Sequence, residues 1–247
     1  MRIPRVIRLV ILVLIFAGIR LCGVAEGSTA IWAGDGTNSW WRDSKWTVDG
    51  IADQPHPGTN NTTIITNGIC RKSYNLIGGN STYQFGGTGT FAFDKQCTVG
   101  WDDVRVSDNF TLTATYIFMS KDYSGSTPSK VEMSGGTIML SETNAFRGIN
   151  FSKVWFNLTG DAGSITIKQT DSKLASGTSL AEKVAMGYFR LDGVRINPSA
   201  DGKDLDVLNA ELKTLSSNER YLVVSQQGDS QILEIKKPSV GVVIILH

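Results

Sequence analysis

Ser81-Thr82-Tyr83-Gln84-Phe85-Gly86-Gly87-Thr88 and Ser129-Lys130-Val131-Glu132-Met133-Ser134-Gly135-Gly136-Thr137 are approximate copies of one unit, the second carrying one inserted residue. Each unit sets a short strand before a Gly-Gly corner, then resumes with threonine and a further strand. Apolar and polar residues alternate at period two, which buries one face of a strand. Further alternating segments follow at 90–93, 104–106, 110–118, 137–140, 154–158 and 164–168. Such groups recur roughly every 20–25 residues, a period at which stacked-repeat architectures come into play. The class is therefore all-β. A right-handed parallel β-helix-like solenoid suits the pattern, because its coils need Gly, Asn or Asp at corners and expose backbone edges only at the ends of the stack. An antiparallel β-sandwich or jelly roll, which also strings short strands between turns, is the alternative.

The composition agrees with a strand-rich chain. Of 247 residues 26 are glycine and only 6 are proline, and threonine, serine and asparagine are frequent. The N-terminus has the plan of a signal peptide. Arg2, Arg5 and Arg8 precede an uncharged apolar run at 9–19 (LVILVLIFAGI), and Gly23 and Ala25 are the small residues a signal peptidase accepts. Residues 1–25 are expected to leave by cleavage after Ala25, with secreted, extracellular or cell-surface localisation. The apolar run is too short to span a bilayer, which takes about 20 residues. No membrane span is expected after cleavage.

Four arginines leave with that segment and all 23 acidic residues stay, so the mature chain carries a formal charge of −3. A balance so near neutral argues against a nucleic-acid partner. Two cysteines remain, Cys70 and Cys97. In an exported protein an even pair reads as a disulfide, expected here to stabilise by ~3 kcal/mol.

Two regions differ from the run of strands. Trp32, Trp40, Trp41 and Trp46, four of the six tryptophans, lie among Gly, Asp and Asn residues just before the first strand at 62–66. They suit a hydrophobic plug on the open end of a stack, which every solenoid requires. Exposed instead, their flat faces would stack on sugar rings while Asp35, Asn38 and Asp43 bond the hydroxyls. From Phe189 onward Leu205, Leu208, Leu212 and Leu215 fall at helical spacing. Strands at 221–224, 232–235 and 240–246 close the chain. The expected organisation is a solenoid with its cap at 26–188 and a closing segment of the same domain at 189–247.

Trp32, Gly34, Gly36, Trp40, Trp46, Gly50, Pro55, Gly58 and Ile64-Ile65 form a pattern that resembles the opening of secreted β-helical repeat proteins of the Planctomycetes and Verrucomicrobia type. Met133-Ser134-Gly135-Gly136-Thr137 is similar to the coil motif of the same proteins. Lys45 departs from the pattern, which often has asparagine there, and the Pro-Glu-Pro sorting tail common among them has no counterpart. The resemblance implies a β-helical, exported surface or matrix protein without assigned activity, and it supplies no catalytic residues.

The chemistry-bearing residues are sparse. Asp102-Asp103-Val104-Arg105 is the one carboxylate pair beside an arginine. Neighbours on a strand point to opposite faces, so Asp102 and Asp103 are not expected to flank one glycosidic bond as hydrolysis requires. Asp201, Asp204 and Asp206 lack the glycine and the terminal glutamate of a calcium loop. With His56 and His247 as the only histidines, neither a catalytic triad nor a zinc site assembles readily. No metal, cofactor or catalytic group is expected. The reading is a non-catalytic structural or interaction protein whose partners are extracellular polysaccharide or surface proteins. The alternative is a carbohydrate-binding module that uses the Trp32–Trp46 segment. A polysaccharide lyase or hydrolase resting on Asp102, Asp103 and Arg105 is the third reading.

Overall fold

A computed structural model describes residues 27–34, 36–40, 43–55, 57, 61–72, 82–94, 96–99, 103–119, 129–142, 145–147, 154–168, 179–215 and 219–238. The chain passes repeatedly between the same sheets. The first pass lays down β1 (Thr29–Trp32) and β2 (Thr37–Ser39), then a 3-10 turn (Asp43–Lys45) and β3 (Trp46–Val48), which returns antiparallel on β1. The second pass is β4 (Thr62–Ile65) and β5 (Ile69–Lys72). The next three are β6 (Thr82–Phe85), β7 (Thr90–Phe93) and β8 (Gln96–Val99); β9 (Asp103–Val106), β10 (Thr111–Ala114) and β11 (Tyr116–Met119); and β12 (Ser129–Met133), β13 (Thr137–Leu140) and β14 (Phe146–Arg147). The sixth is β15 (Val154–Leu158) and β16 (Ser164–Lys168).

Three sheets result, one from each position in the pass. Sheet 1 runs β3-β1-β4-β6-β9-β12-β15, sheet 2 runs β2-β5-β7-β10-β13-β16, and β8-β11-β14 form sheet 3. Every pairing between successive passes is parallel and in register. Because side chains alternate, register converts the strand pattern into columns. Thr63, Tyr83, Val104, Val131 and Phe156 form one inward column, and Ile65, Phe85, Val106, Met133 and Leu158 form the next. Cys70, Phe91, Leu112, Ile138 and Ile165 face them from sheet 2. All are buried, and each large apolar member contributes about 1.5–3 kcal/mol by leaving water. Phe85 stacks on Phe91 and Phe110 at ring separations of 5.1 and 5.2 Å, which locks the two sheets together where they meet.

The Gly-Gly units sit at the corner from sheet 1 to sheet 2. Gly87 and Gly136 have φ of +67° and +70°. A Cβ on Gly87 would lie 2.4 Å from the Thr66 carbonyl oxygen of the preceding pass. Glycine is thus needed for its backbone conformation and for the close approach of neighbouring turns. The in-register counterpart of Thr137, reached through Thr111, is Thr90 and not Thr88. The corner after β6 is one residue longer than that after β12, so the sequence copies are in register along β6 and β12 and part by two residues only beyond the corner.

Antiparallel pairing closes sheet 1 at both ends and sheet 2 at its last end, while β2 begins sheet 2 on a parallel partner. At the start Trp32, Trp40 and Trp46 fill the end of the core beyond β4. At the finish α1 (Leu180–Ala185) buries Leu180, Ala181 and Val184. Then β17 (Phe189–Leu191) and β18 (Val194–Arg195) extend sheet 1. Helix α2 (Leu205–Leu215) buries Leu208 and Leu212, and the hairpin β19 (Tyr221–Gln227) and β20 (Ser230–Lys236) completes sheet 2, β20 lying antiparallel on β16. Arg220 ties this end to the last pass, donating to the Thr159 and Gly160 carbonyls and to Asp192. The segment from residue 189 therefore continues both sheets.

Two sequence expectations are corrected here. The run at 110–118 is two strands, because the chain turns at Thr115 from sheet 2 into sheet 3. The inward residues change parity there, from Leu112 and Ala114 to Ile117, which marks a corner. The helix at 205–215 has a companion, α1, whose start is a reciprocal capping box between Ser179 and Glu182. Its six residues are too few for apolar periodicity to reveal. The strand expected at 240–246, the signal segment, His56 and His247 lie outside the described residues.

Candidate functional site

The tryptophan segment was the leading candidate for recognition, and its described rings are buried. Trp32, Trp40 and Trp46 have relative exposures of 1%, 0% and 1%. They meet edge to face, Trp46 lying 5.0 Å from Trp32 and 4.8 Å from Trp40, while Trp40 continues onto Phe91 at 5.6 Å. Trp46 Nε1 donates to the Trp40 carbonyl, and Lys72 Nζ lies 4.4 Å from the centre of the Trp40 ring. No face of these three rings is open to a sugar, because each is needed to shield the end of the aromatic column. Asn38 is half-buried on β2. Trp41 and Asp35 lie outside the described residues.

The other sequence candidates do not converge either. Asp103 and Arg105 lie on the outer face of sheet 1, opposite Lys130 and Glu132 of the next strand, in an open lattice of mixed charge. Asp102 lies outside the described residues. Asp201 is paired with Lys203 at 3.0 Å, and the Asp204 carboxylate accepts from the Asp206 and Val207 backbone at the start of α2. No group of three or more His, Cys, Asp or Glu side chains that could hold a metal is present among the described residues. Cys70 is a free, fully buried thiol whose pKa is pushed far up by burial. Cys70 points into the core between the Asn38 and Phe91 positions of sheet 2, whereas Cys97 belongs to sheet 3 and its side chain lies outside the described residues.

A groove that the linear sequence concealed crosses the outer face of sheet 2. Its volume is about 670 Å³, within the roughly 300–1,000 Å³ range of small-ligand sites. Two outward rows of side chains build it, each row taking one residue from each successive pass. The first row is Arg71, Ala92, Thr113, Met139 and Thr166, in register from β5 to β16. The second, two residues further along each strand, is Asp94, Thr115, Ser141 and Lys168, with Ser230 opposite Lys168 on β20. Between the rows, the inward-pointing Phe93, Ala114 and Leu140 form the floor.

The electrostatics of the groove are balanced. Arg71 pairs with Asp94 at 3.2 Å at one end, and Lys168 with Asp229 at 3.6 Å at the other. Both pairs are about half exposed, where ion pairs stabilise little. Hydroxyls and the side chain of Met139, 46% exposed, occupy the stretch between them. Such a surface offers donors and acceptors at strand spacing around an apolar centre. The signal that could have revealed it is the recurrence of an outward residue at the third position of each strand, visible once the register of the passes is known.

No family model matches the chain, and no curated protein or solved structure matches it. No helix among the described residues is long and apolar enough to cross a membrane.

Proposed function

We propose that this chain is an exported, non-catalytic structural and interaction protein of the cell surface or extracellular matrix, folded as a right-handed parallel β-helix. The observation that carries the reading is the stack of in-register parallel strands, capped by antiparallel strands at both ends of sheet 1 and at the last end of sheet 2. A finite stack of this kind is rigid and displays long polar faces, with edge strands only at its ends. Right-handed connections are the rule for parallel crossovers in one sheet. The signal-like N-terminus supports export, and the resemblance to secreted β-helical repeat proteins supports the surface or matrix setting. Asp103 and Arg105 on an open face suit a solvated lattice better than a reacting centre.

Expression of the full chain in an export-competent host tests this. The expected product starts at Glu26, appears outside the cell, scatters X-rays as an elongated particle and releases no reducing ends from a panel of polysaccharides. Retention in the cytoplasm, a compact spherical scattering profile or turnover of any polysaccharide would each overturn the corresponding part.

A further inference from the structure

We infer that the groove on sheet 2 binds an extended, uncharged polysaccharide that lies across the strands. The inference rests on the extracellular reading above, since such polymers are met outside the cell.

The first argument is shape. The groove follows the stacking direction, from Arg71 on β5 to Lys168 on β16. Those strands are four steps apart in sheet 2, or about 19 Å at ~4.8 Å per step. A site that long and that open suits a polymer in extended form rather than a compact metabolite. A polypeptide strand would add along a sheet edge, parallel to the existing strands, and would not cross them.

Charge is the second argument. Each end of the groove carries one cation and one anion that already face each other, Arg71 with Asp94 and Lys168 with Asp229. Neither a polyanion nor a polycation gains from that arrangement. A neutral hydroxyl does, because an exposed carboxylate accepts from it and the neighbouring cation donates to it.

The third argument is the repeat. Thr113 and Thr166 flank Met139 in one row, and each hydroxyl both donates and accepts. The exposed Met139 side chain supplies a soft apolar surface at mid-groove, where the C–H face of a sugar ring would rest. A chain of hydroxylated rings presents the same alternation of hydroxyl edges and C–H faces.

The test is retention of purified mature protein in native gels cast with soluble neutral polysaccharides (a glucan, a xylan, a galactomannan), beside polygalacturonate and heparin. At least one neutral polymer is expected to retard the protein, and the two polyanions are not. Met139→Arg, which fills the groove from an exposed position, is expected to weaken that retention by about tenfold or more at unchanged melting temperature. Arg105→Ala on the outer face of sheet 1 is expected to leave it intact. Should Met139→Arg fail to fold, the isosteric pair Asp94→Asn with Asp229→Asn reads the same site and is expected to weaken retention. No retardation by any neutral polymer, retardation by polyanions alone, or neutral binding indifferent to the groove variants would overturn the inference. The gels use purified protein, so failed export would sink the preceding proposal and leave this result standing. Absent binding by a correctly exported protein would sink this inference alone.

Discussion

The side-chain amide of Asn209 grips both backbone polar groups of Val224: Nδ2 donates to the Val224 carbonyl and Oδ1 accepts from the Val224 N–H, each at 2.8 Å. Asn209 lies on α2 and Val224 on β19, the last strand of sheet 2. The amide therefore supplies, at one position of an edge strand, the pairing that another strand would have supplied. Edge strands invite association with further chains, and covering them is a common protection.

Replacing Asn209 by Leu keeps the helix and removes both bonds. A partly buried donor and acceptor would be left without partners, at a cost of about 1–3 kcal/mol. Chemical unfolding is expected to show that loss. Sedimentation is expected to show concentration-dependent self-association through the opened edge. A monomeric Asn209→Leu variant of undiminished stability would mean that the packing of α2 alone protects β19.

Trp40→Ala and Trp46→Ala test the N-terminal plug. Both rings are fully buried and packed edge to face. Each truncation is expected to cost ~3–5 kcal/mol through lost burial and a cavity. For a domain with only ~5–15 kcal/mol of stability, that is a large fraction of the whole. Thermal unfolding reads it directly, and unchanged melting in both variants would refute the plug.

Gly87→Ala tests the corners. The new side chain would meet a carbonyl of the preceding pass in a left-handed backbone conformation. The conformation alone costs about 1–2 kcal/mol for an L-residue. Gly36→Ala is the control, since a Cβ there meets nothing within 4 Å. Only the first substitution is expected to lower the unfolding midpoint.

Cys70 makes a prediction about reactivity. Burial raises its pKa, so the group remains a neutral thiol throughout the physiological range and lacks the nucleophilic thiolate form. Iodoacetamide is expected to leave Cys70 untouched in the folded protein and to label it, without prior reduction, once guanidinium has unfolded the chain. Peptide mapping distinguishes it from Cys97. A Cys70 that can be labelled only after reduction would show that the bridge forms after all.

Much of the fold was legible in the strands themselves. Alternation in Thr82–Phe85, Thr90–Phe93 and Ser164–Lys168 reports which residues face the core, because a pleated backbone turns successive side chains to opposite sides whatever its neighbours are. The Gly-Gly corners were legible for a similar reason: a positive φ is a local demand that glycine meets at least cost. Helix α2 announced itself through leucines at helical spacing, whereas α1 was hidden by its brevity and marked only by Ser179 and Glu182.

The amino-acid sequence by itself determined the strands, the corners and the inward faces, since each follows from the conformational preferences and solubility of neighbouring residues. The burial of Trp32, Trp40 and Trp46 and the meeting of Arg71, Thr113, Met139 and Lys168 in one groove were decided only by tertiary structure. Tryptophan is equally at home in a plug or on a platform, and its exposure depends on what packs over it. The groove depends on register between passes, and register is a property of pairing between distant segments: a slip of one residue would turn the same side chains into the core.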